Sequence, residues 1–407
     1  MTSADVHAPW TIWLEGEGWG GNRLFTRPRR TLQTYGGVTR IADADGTIHT
    51  SPADPLELVE AALAEAGPDA VAAGYFSYDL ARRWLPLAAL PAAGPVADMA
   101  IGIYDALLLL TPEEGALTAP AAISLDAPPS PHQDFAAYSQ AFDRIQAYIR
   151  AGDCYQVNYA LRFAAPCAGD VWPLYQALRR RNPAPYAAWL NLPGTQVLSS
   201  SPESFLHLAD GLVTTRPIKG TRPRGATPEA DAQLAAELAA SPKDRAENLM
   251  IVDLLRNDLG KVCVPGSVVV PALFAVEPFA TVQHLVSTVQ GRLRPGKTAL
   301  DLLRATLPGG SITGAPKHRA MQIIDELEPA ARGVYCGAIG WLKRDAMHLN
   351  IAIRTAVAAG GEVSFWAGGG LVADSEVVAE YQECLDKARA LRETLADFGP
   401  ATGPEGA

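Results

Sequence analysis

The chain lacks a cysteine framework. Its five cysteines, Cys154, Cys167, Cys263, Cys336 and Cys384, are odd in number and none forms a C-x-x-C pair. That weighs against a disulfide scaffold or a zinc site and favours a reducing, cytoplasmic setting. It also lacks surplus positive charge. With 34 Lys and Arg against 44 Asp and Glu the formal charge is −10, no basic stripe offsets it, and no nucleic-acid partner is expected. An acidic total still admits an anionic substrate, provided that local Arg or Lys, backbone N–H groups or a metal hold it. Long apolar runs are missing too. "ALLLL" at 106–110 falls far short of the roughly 20 residues that a membrane helix needs, so no membrane partner is expected. The opening "MTSADVHAPW" has neither the basic start nor the apolar stretch of a secretory signal.

What is present is globular. At 407 residues, 48% hydrophobic and 19% charged, the chain suits one large domain or two ordinary ones. Residues 1–130 read as a mixed α/β subdomain, 131–398 as the region carrying the chemistry, and 399–407 ("GPATGPEGA") as a disordered tail. A helix is expected over 51–67, started by Ser51-Pro52 and stopped by Gly67. Residues 111–134, rich in Pro and Ala, read as a linker or long loop. Asp134 caps the next helix and Gly152 ends it. "CYQVNYALRF" then alternates, with Tyr155, Val157, Tyr159, Leu161 and Phe163 on one face and Gln156, Asn158 and Arg162 on the other. Further strands are expected around 195–200, 204–219, 266–270, 335–342, 346–358 and 362–367. Their hairpin-like succession implies antiparallel pairing and an α+β fold.

Two helices carry carboxylates on the wrong side. In "SPKDRAENLMIVDLLRNDLG" (241–260), capped by Ser241 with Pro242 at N1, Met250, Ile251, Leu254 and Leu255 form an apolar arc. Glu247 falls within that arc and Asp244 at its edge. A buried ionised carboxylate is costly unless paired, protonated or metal-bound; a buried Glu–Arg pair is the plain alternative. The last helix (374–399) buries Val377, Tyr381, Cys384, Ala388 and Leu391, with Glu380, Glu383 and Lys387 along its border. Glu383–Lys387 alone reads as a surface i,i+4 pair. Two helices that both turn carboxylates inward suggest an oxygen-only site, which suits Mg²⁺.

Two glycine runs invite a phosphate-loop reading, and both fail it. Gly309 and Gly314 have the P-loop spacing, but Ala315-Pro316 follows in place of Lys-Ser/Thr. "GGGLVA" (368–373) matches a dinucleotide fingerprint, yet a helix and no second strand comes after it. Both runs could present backbone N–H groups at a helix N-terminus to any anion. Arg354, alternating with Ile351 and Ile353, is a candidate charged partner, or else a solvated strand arginine.

The segments "PIKGT", "KDRAENLMIVDLLRNDLG", "VQHLVSTV", "PGGSITGAPK", "CGAIG", "IAIRT", "AGGGLVADS" and "EYQECLDKA" together resemble the chorismate-utilising enzymes, and within them most the aminodeoxychorismate synthase branch. The resemblance implies two face-packed antiparallel β-sheets surrounded by helices. It implies Mg²⁺ held by Glu247 and Glu383, with Asp244 and Glu380 close by. Arg354, Tyr335, Lys387, Thr221, Ser311 and the amides around Gly368 and Gly370 would contact chorismate. Glu203 matches the family's general acid and His284 a histidine near the reacting ring; a strand-end glutamate and a packed histidine are their plain alternatives.

Two positions sort the branches of the family. Water-using members carry lysine where this chain has Gln156, so Gln156, expected from the resemblance to contact the substrate, disfavours water activation. Anthranilate and isochorismate synthases carry alanine where this chain has Lys219. The resemblance thus implies a covalent Lys219 intermediate, Glu203 as acid, and amination of chorismate at C4. No glutaminase-like nucleophile elbow surrounds any cysteine, so ammonia is expected from a separate glutamine amidotransferase subunit. The rivals are an anthranilate synthase component I, an isochorismate-type synthase, and a non-catalytic chorismate-binding subunit.

Overall fold

A computed structural model describes residues 6–85, 87, 94–106, 109–110, 123–279 and 282–399. Two antiparallel sheets, of 11 and 12 strands among the described residues, dominate it. Alternation along each strand splits the apolar side chains between two surfaces. On Val71–Phe76, Val71, Ala73 and Tyr75 join the core between the sheets, with Ile12, Leu190 and Ile339. Ala72 and Phe76 turn the other way and pack with Leu56, Ile251 and Leu303 of the helices behind that sheet. The first sheet is backed likewise: Val157, Tyr159, Leu161 and Phe163 meet Tyr138, Cys384 and Leu391. The α+β expectation and the face-packed pair of sheets therefore hold.

Local signals explain most element ends. Asp134 accepts the Ala137 N–H, and Gly152, at φ 82°, closes the helix Phe135–Ala151. Ser241 caps Pro242–Gly260 by accepting the Asp244 N–H. The helix expected from Ser51 begins later: Asp54 caps Pro55–Ala66, accepting from Leu56 and Glu57, while Ser51 ends a strand. Asp54 wins because its ionised oxygen is the better acceptor for N–H groups at the positive end of a helix. Residues 111–122 of the expected linker lie outside the described residues. Beyond them, Ile123–Leu125 and Ser130–Pro131 pair with Gln156–Gly169 and are not loop.

Strands from before residue 130 are interleaved with later ones in both sheets: Thr11–Glu15 pairs with Tyr186–Leu192, and Val71–Phe76 with Ala338–Leu342. Two expected strands are broken. The stretch 204–219 forms Ser204–Ala209, Leu212–Thr215 and the start of Ile218–Pro223. The stretch 346–358 forms Met347–Ile351 in one sheet and Thr355–Ala359 in the other. The chain also changes sheet between Thr195–Ser201 and Ser204–Ala209. The two crossings lie side by side, joined by Ile351 N–H to Glu203 O and Ser200 N–H to Arg354 O, both at 3.1 Å. No helix among the described residues is long and apolar enough to cross a membrane, and the five cysteines are free. Most of the tail, 400–407, lies outside the described residues.

Candidate active site

The sheet crossings open onto a cavity of about 670 Å³. Every site residue expected from the sequence lines it except Gln156. Glu203 and Arg354 sit at the crossings themselves. Arg354 is therefore a corner residue and not a strand arginine, held at φ 50°, a backbone region that costs a non-glycine residue energy and recurs where a site fixes geometry. Its guanidinium contacts Asn182 at 3.5 Å, and burial lowers its pKa.

Glu203 is 6% exposed and its Oε1 accepts from Ser311 Oγ at 3.0 Å. Burial is the largest influence on it and raises its pKa to about 7, against the opposing pull of the Ser311 hydrogen bond and Lys219. A carboxyl group that is protonated near neutrality suits a general acid.

Lys219 stands on the outer strand Ile218–Pro223, where the register against Val282–Arg292 slips between Ile218 and Thr221. This bulge, with Gly220 at φ 82°, re-aims the strand-end side chain into the cavity. A Cβ at Gly220 would come within 2.9 Å of Asp244 and Leu238, so the bulge needs glycine twice over. Burial pushes the Lys219 ammonium pKa down, Glu247 opposes it and Lys387 adds to it, the direction that frees an amine to act as a nucleophile. The next strand pairs Thr221 with His284. Thr221 Oγ1 and His284 Nδ1 share a hydrogen bond of 2.9 Å, and burial, helped by Arg354, lowers the imidazole pKa.

The acidic wall comes from two helices. Burial raises the Glu247 and Glu380 pKa values, and Glu383 adds repulsion to each. Burial also works against ionisation of Glu383, but Lys387, hydrogen-bonded at 2.6 Å, outweighs it and holds the Glu383 carboxyl low. Ser375 donates to Glu380 at 2.6 Å. Asp244 is ion-paired with Arg222 at 3.1 Å, which takes it out of the free acidic set. No three carboxylate, histidine or cysteine groups among the described residues converge closely enough to hold a metal ion as they stand.

The glycine run is strand, not loop. Glu362–Leu371 pairs with Gln156–Gly169, Gly370 opposite Asn158 and Gly368 opposite Ala160. Asn158 gives its N–H to Thr313 O on its far side, so its pair with Gly370 is a non-hydrogen-bonded one. Gly368 and Gly370 consequently turn their amides away from that ladder, on the side where Lys387 Nζ reaches Gly368 O at 3.0 Å. A Cβ at Gly370 would lie 1.7 Å from Gln156 Nε2: Gln156 packs over the glycine instead of lining the cavity. Tyr335 stacks on Trp366, centroids 6.0 Å apart.

The sequence reading passed over Trp366, Lys243 and Asn158, which also line the cavity. It also missed the buried pair Arg332–Glu328 behind it (1% and 2% exposed). Arg332 holds Asn158 O and Ile312 O, and Glu328 accepts the Ala160 N–H. Only Asn158 had left a signal, on the polar face of an alternating strand.

A sequence model of the chorismate binding enzymes matches residues 10–393. The chain belongs to the chorismate binding enzyme family. Among its relatives, the aminodeoxychorismate synthase component 1 of Klebsiella aerogenes is 48% identical over 89% of this chain and 88% of that protein. The Escherichia coli K12 component 1 of the same name is 42% identical over 96% and 94%. An anthranilate synthase component 1 of Pseudomonas aeruginosa is 38% identical over 97% and 94%. The crystal structure of anthranilate synthase component I from Streptococcus pneumoniae superposes on 96% of this chain and 94% of that one, with TM-score 0.76 and 29% identity. As a chorismate binding enzyme, the chain has a cavity whose carboxylate-friendly features, Arg354 and the outward amides of Gly368 and Gly370, suit an acid with more than one carboxylate.

Proposed function

We propose that the chain aminates chorismate at C4 to 4-amino-4-deoxychorismate, the step toward 4-aminobenzoate. The observation that carries this is Lys219, bulged into the cavity with its pKa lowered and sharing that cavity with a Glu203 carboxyl raised to about 7. Arg354 and the Gly368 and Gly370 amides orient the carboxylates. The neutral Lys219 amine attacks C2; the ring double bonds shift toward C4, and the C4–O bond breaks. Glu203 gives its proton to the departing hydroxyl, which leaves as water. Ammonia then bonds to C4, the double bonds shift back, and the C2–N bond to Lys219 breaks. The ammonium formed at C4 gives up a proton, which restores the Glu203 acid.

Glu247, Glu380 and Glu383 suit a hard divalent cation that would draw them together, because all three line one cavity and Glu383 repels each of the other two. With Mg²⁺ bound, these residues would set a positive charge against the ring carboxylate. The words "component 1" in the relatives' names imply a partner component, and on this reading that partner is a glutamine amidotransferase that supplies the ammonia. The likeness to anthranilate synthases makes amination at C2 the rival outcome.

The test is product identity. The purified chain is incubated with chorismate, Mg²⁺ and an ammonium salt at mildly alkaline pH, and the products are separated and weighed. Aminodeoxychorismate is expected, and Lys219→Ala should abolish it. Anthranilate from the unmodified chain would overturn the C4 assignment, and full activity in Lys219→Ala would overturn the covalent route.

A further inference from the structure

Lys317 is a buried ammonium with no part in the amination steps. It opens the helix Lys317–Leu327, where the positive end of the helix dipole disfavours a cation. Its side chain is 11% exposed, and that of its ion-pair partner Asp258 is 1% exposed. Burial pulls the lysine pKa down, and Asp258 opposes it. Such a pair is a weak source of stability, since apolar residues of similar volume often serve as well or better. Its place in the chain gives a better reason for it. Lys317 Nζ also donates to Thr306 O at 2.9 Å. Thr306 ends the helix Ala299–Thr306, so one ammonium joins both ends of the segment 307–316. That segment carries Ser311, whose Oγ–H bonds Glu203 at 3.0 Å. Asp258, whose other oxygen meets Lys261 Nζ at 2.8 Å, ties the junction to the helix Pro242–Gly260. The same helix presses Leu254 on the residue before Ser311: a Cβ at Gly310 would come within 2.6 Å of it.

We propose that Lys317 is a positioning residue: by joining the two ends of the segment 307–316 to each other and to Asp258, it holds the Ser311 hydroxyl on Glu203. The inference rests on Glu203 being the general acid. The Ser311 hydrogen bond favours the ionised carboxylate against burial, as do the Lys219 and Lys387 charges and the Ile218 N–H; the Cys336 thiol also feels the Glu203 charge. The segment carries none of these others. Freed at its ends, it would withdraw Ser311 alone, and Glu203 would keep its proton to higher pH.

The test follows kcat/KM for chorismate against pH, with Mg²⁺ and a fixed concentration of free ammonia. The unmodified chain, Ser311→Ala, Lys317→Met and the two changes together are compared. The alkaline limb of the profile reports the acid of the free enzyme. Ser311→Ala should move that limb up by about one pH unit. Lys317→Met should move it the same way by a similar amount, and the combined variant should lie no higher than Ser311→Ala. A merely structural lysine would lower the thermal midpoint and leave the limb in place. That result beside a shifted Ser311→Ala would overturn the proposal and spare the acid. A limb that Ser311→Ala also leaves unmoved would overturn Glu203 as the acid, and the inference with it. Should Lys317→Met fail to fold because Asp258 is stranded, Lys317→Met with Asp258→Asn removes both buried charges. It is judged by the same limb: raised, it upholds the proposal; unmoved, it overturns it.

Discussion

Replacing Glu203 by glutamine should make the protein more stable above neutral pH while destroying its activity. Glu203 is 6% exposed, and burial raises its pKa from an ordinary 4.5 to about 7. The folded state therefore holds this proton more tightly than the unfolded chain does. The resulting stability is fully present below pH about 4.5 and is lost as pH rises to about 7, a change of about 3 kcal/mol. Glutamine has no such titration and keeps an oxygen for the Ser311 Oγ–H. Thermal midpoints of the two proteins are compared at about pH 5 and about pH 8. For a chain of this size about 3 kcal/mol is worth ~3–4 °C. The variant's midpoint relative to the unmodified protein should rise by that much between the two pH values, and any fixed cost of rearranging the Ser311 contact cancels in the comparison. Turnover should fall by about 10²–10⁴-fold, the usual share of a general acid. An equal difference at both pH values would refute a buried, proton-binding Glu203, and with it the reason for casting it as the acid.

Other expectations follow from the same geometry. Arg332→Met would strand the Glu328 carboxylate, which is 2% exposed, and should cost about 3–5 kcal/mol in urea unfolding, with part recovered by adding Glu328→Gln. Gly370→Ala sets a methyl 1.7 Å from Gln156 Nε2 and should lower kcat/KM at least tenfold with an unchanged circular dichroism spectrum. Gly369→Ala meets nothing nearer than Glu380 at 3.3 Å and should be far milder. Mg²⁺ should raise the thermal midpoint of the unmodified chain, and the rise should vanish in Glu247→Gln or Glu383→Gln; a rise that persists in both would place the ion elsewhere.

Part of the site was legible in local patterns, while Glu203, His284, Thr221, Ser311, Tyr335 and the role of Lys219 came only through the family resemblance. Alternation gave the Gln156 strand its faces, caps placed the two acidic helices, and inward carboxylates marked one wall of the cavity. What escaped depends on the third dimension. No local signal marks a change of sheet, so 346–358 reads as one strand although the chain steps across at Ala352–Arg354. Three successive glycines carry no side chains to alternate, so strand 362–371 reads as a loop beyond residue 367. Arg332 and Glu328, four apart, have the spacing of a surface pair, and only the fold buries them.

The paired crossings have an evolutionary consequence. Glu203 and Arg354 are spaced by the backbone itself as it steps between the sheets, and their corners are bonded to each other. With the proposed roles, the proton source and the anion clamp could not be moved apart without unstitching both layers. Lys219, on the bulged outer strand, and Gln156, a side chain laid over glycine, carry no such burden. On that proposal, a new reaction on this scaffold would be cheapest to reach by exchanging those two side chains, with the acid and the clamp kept.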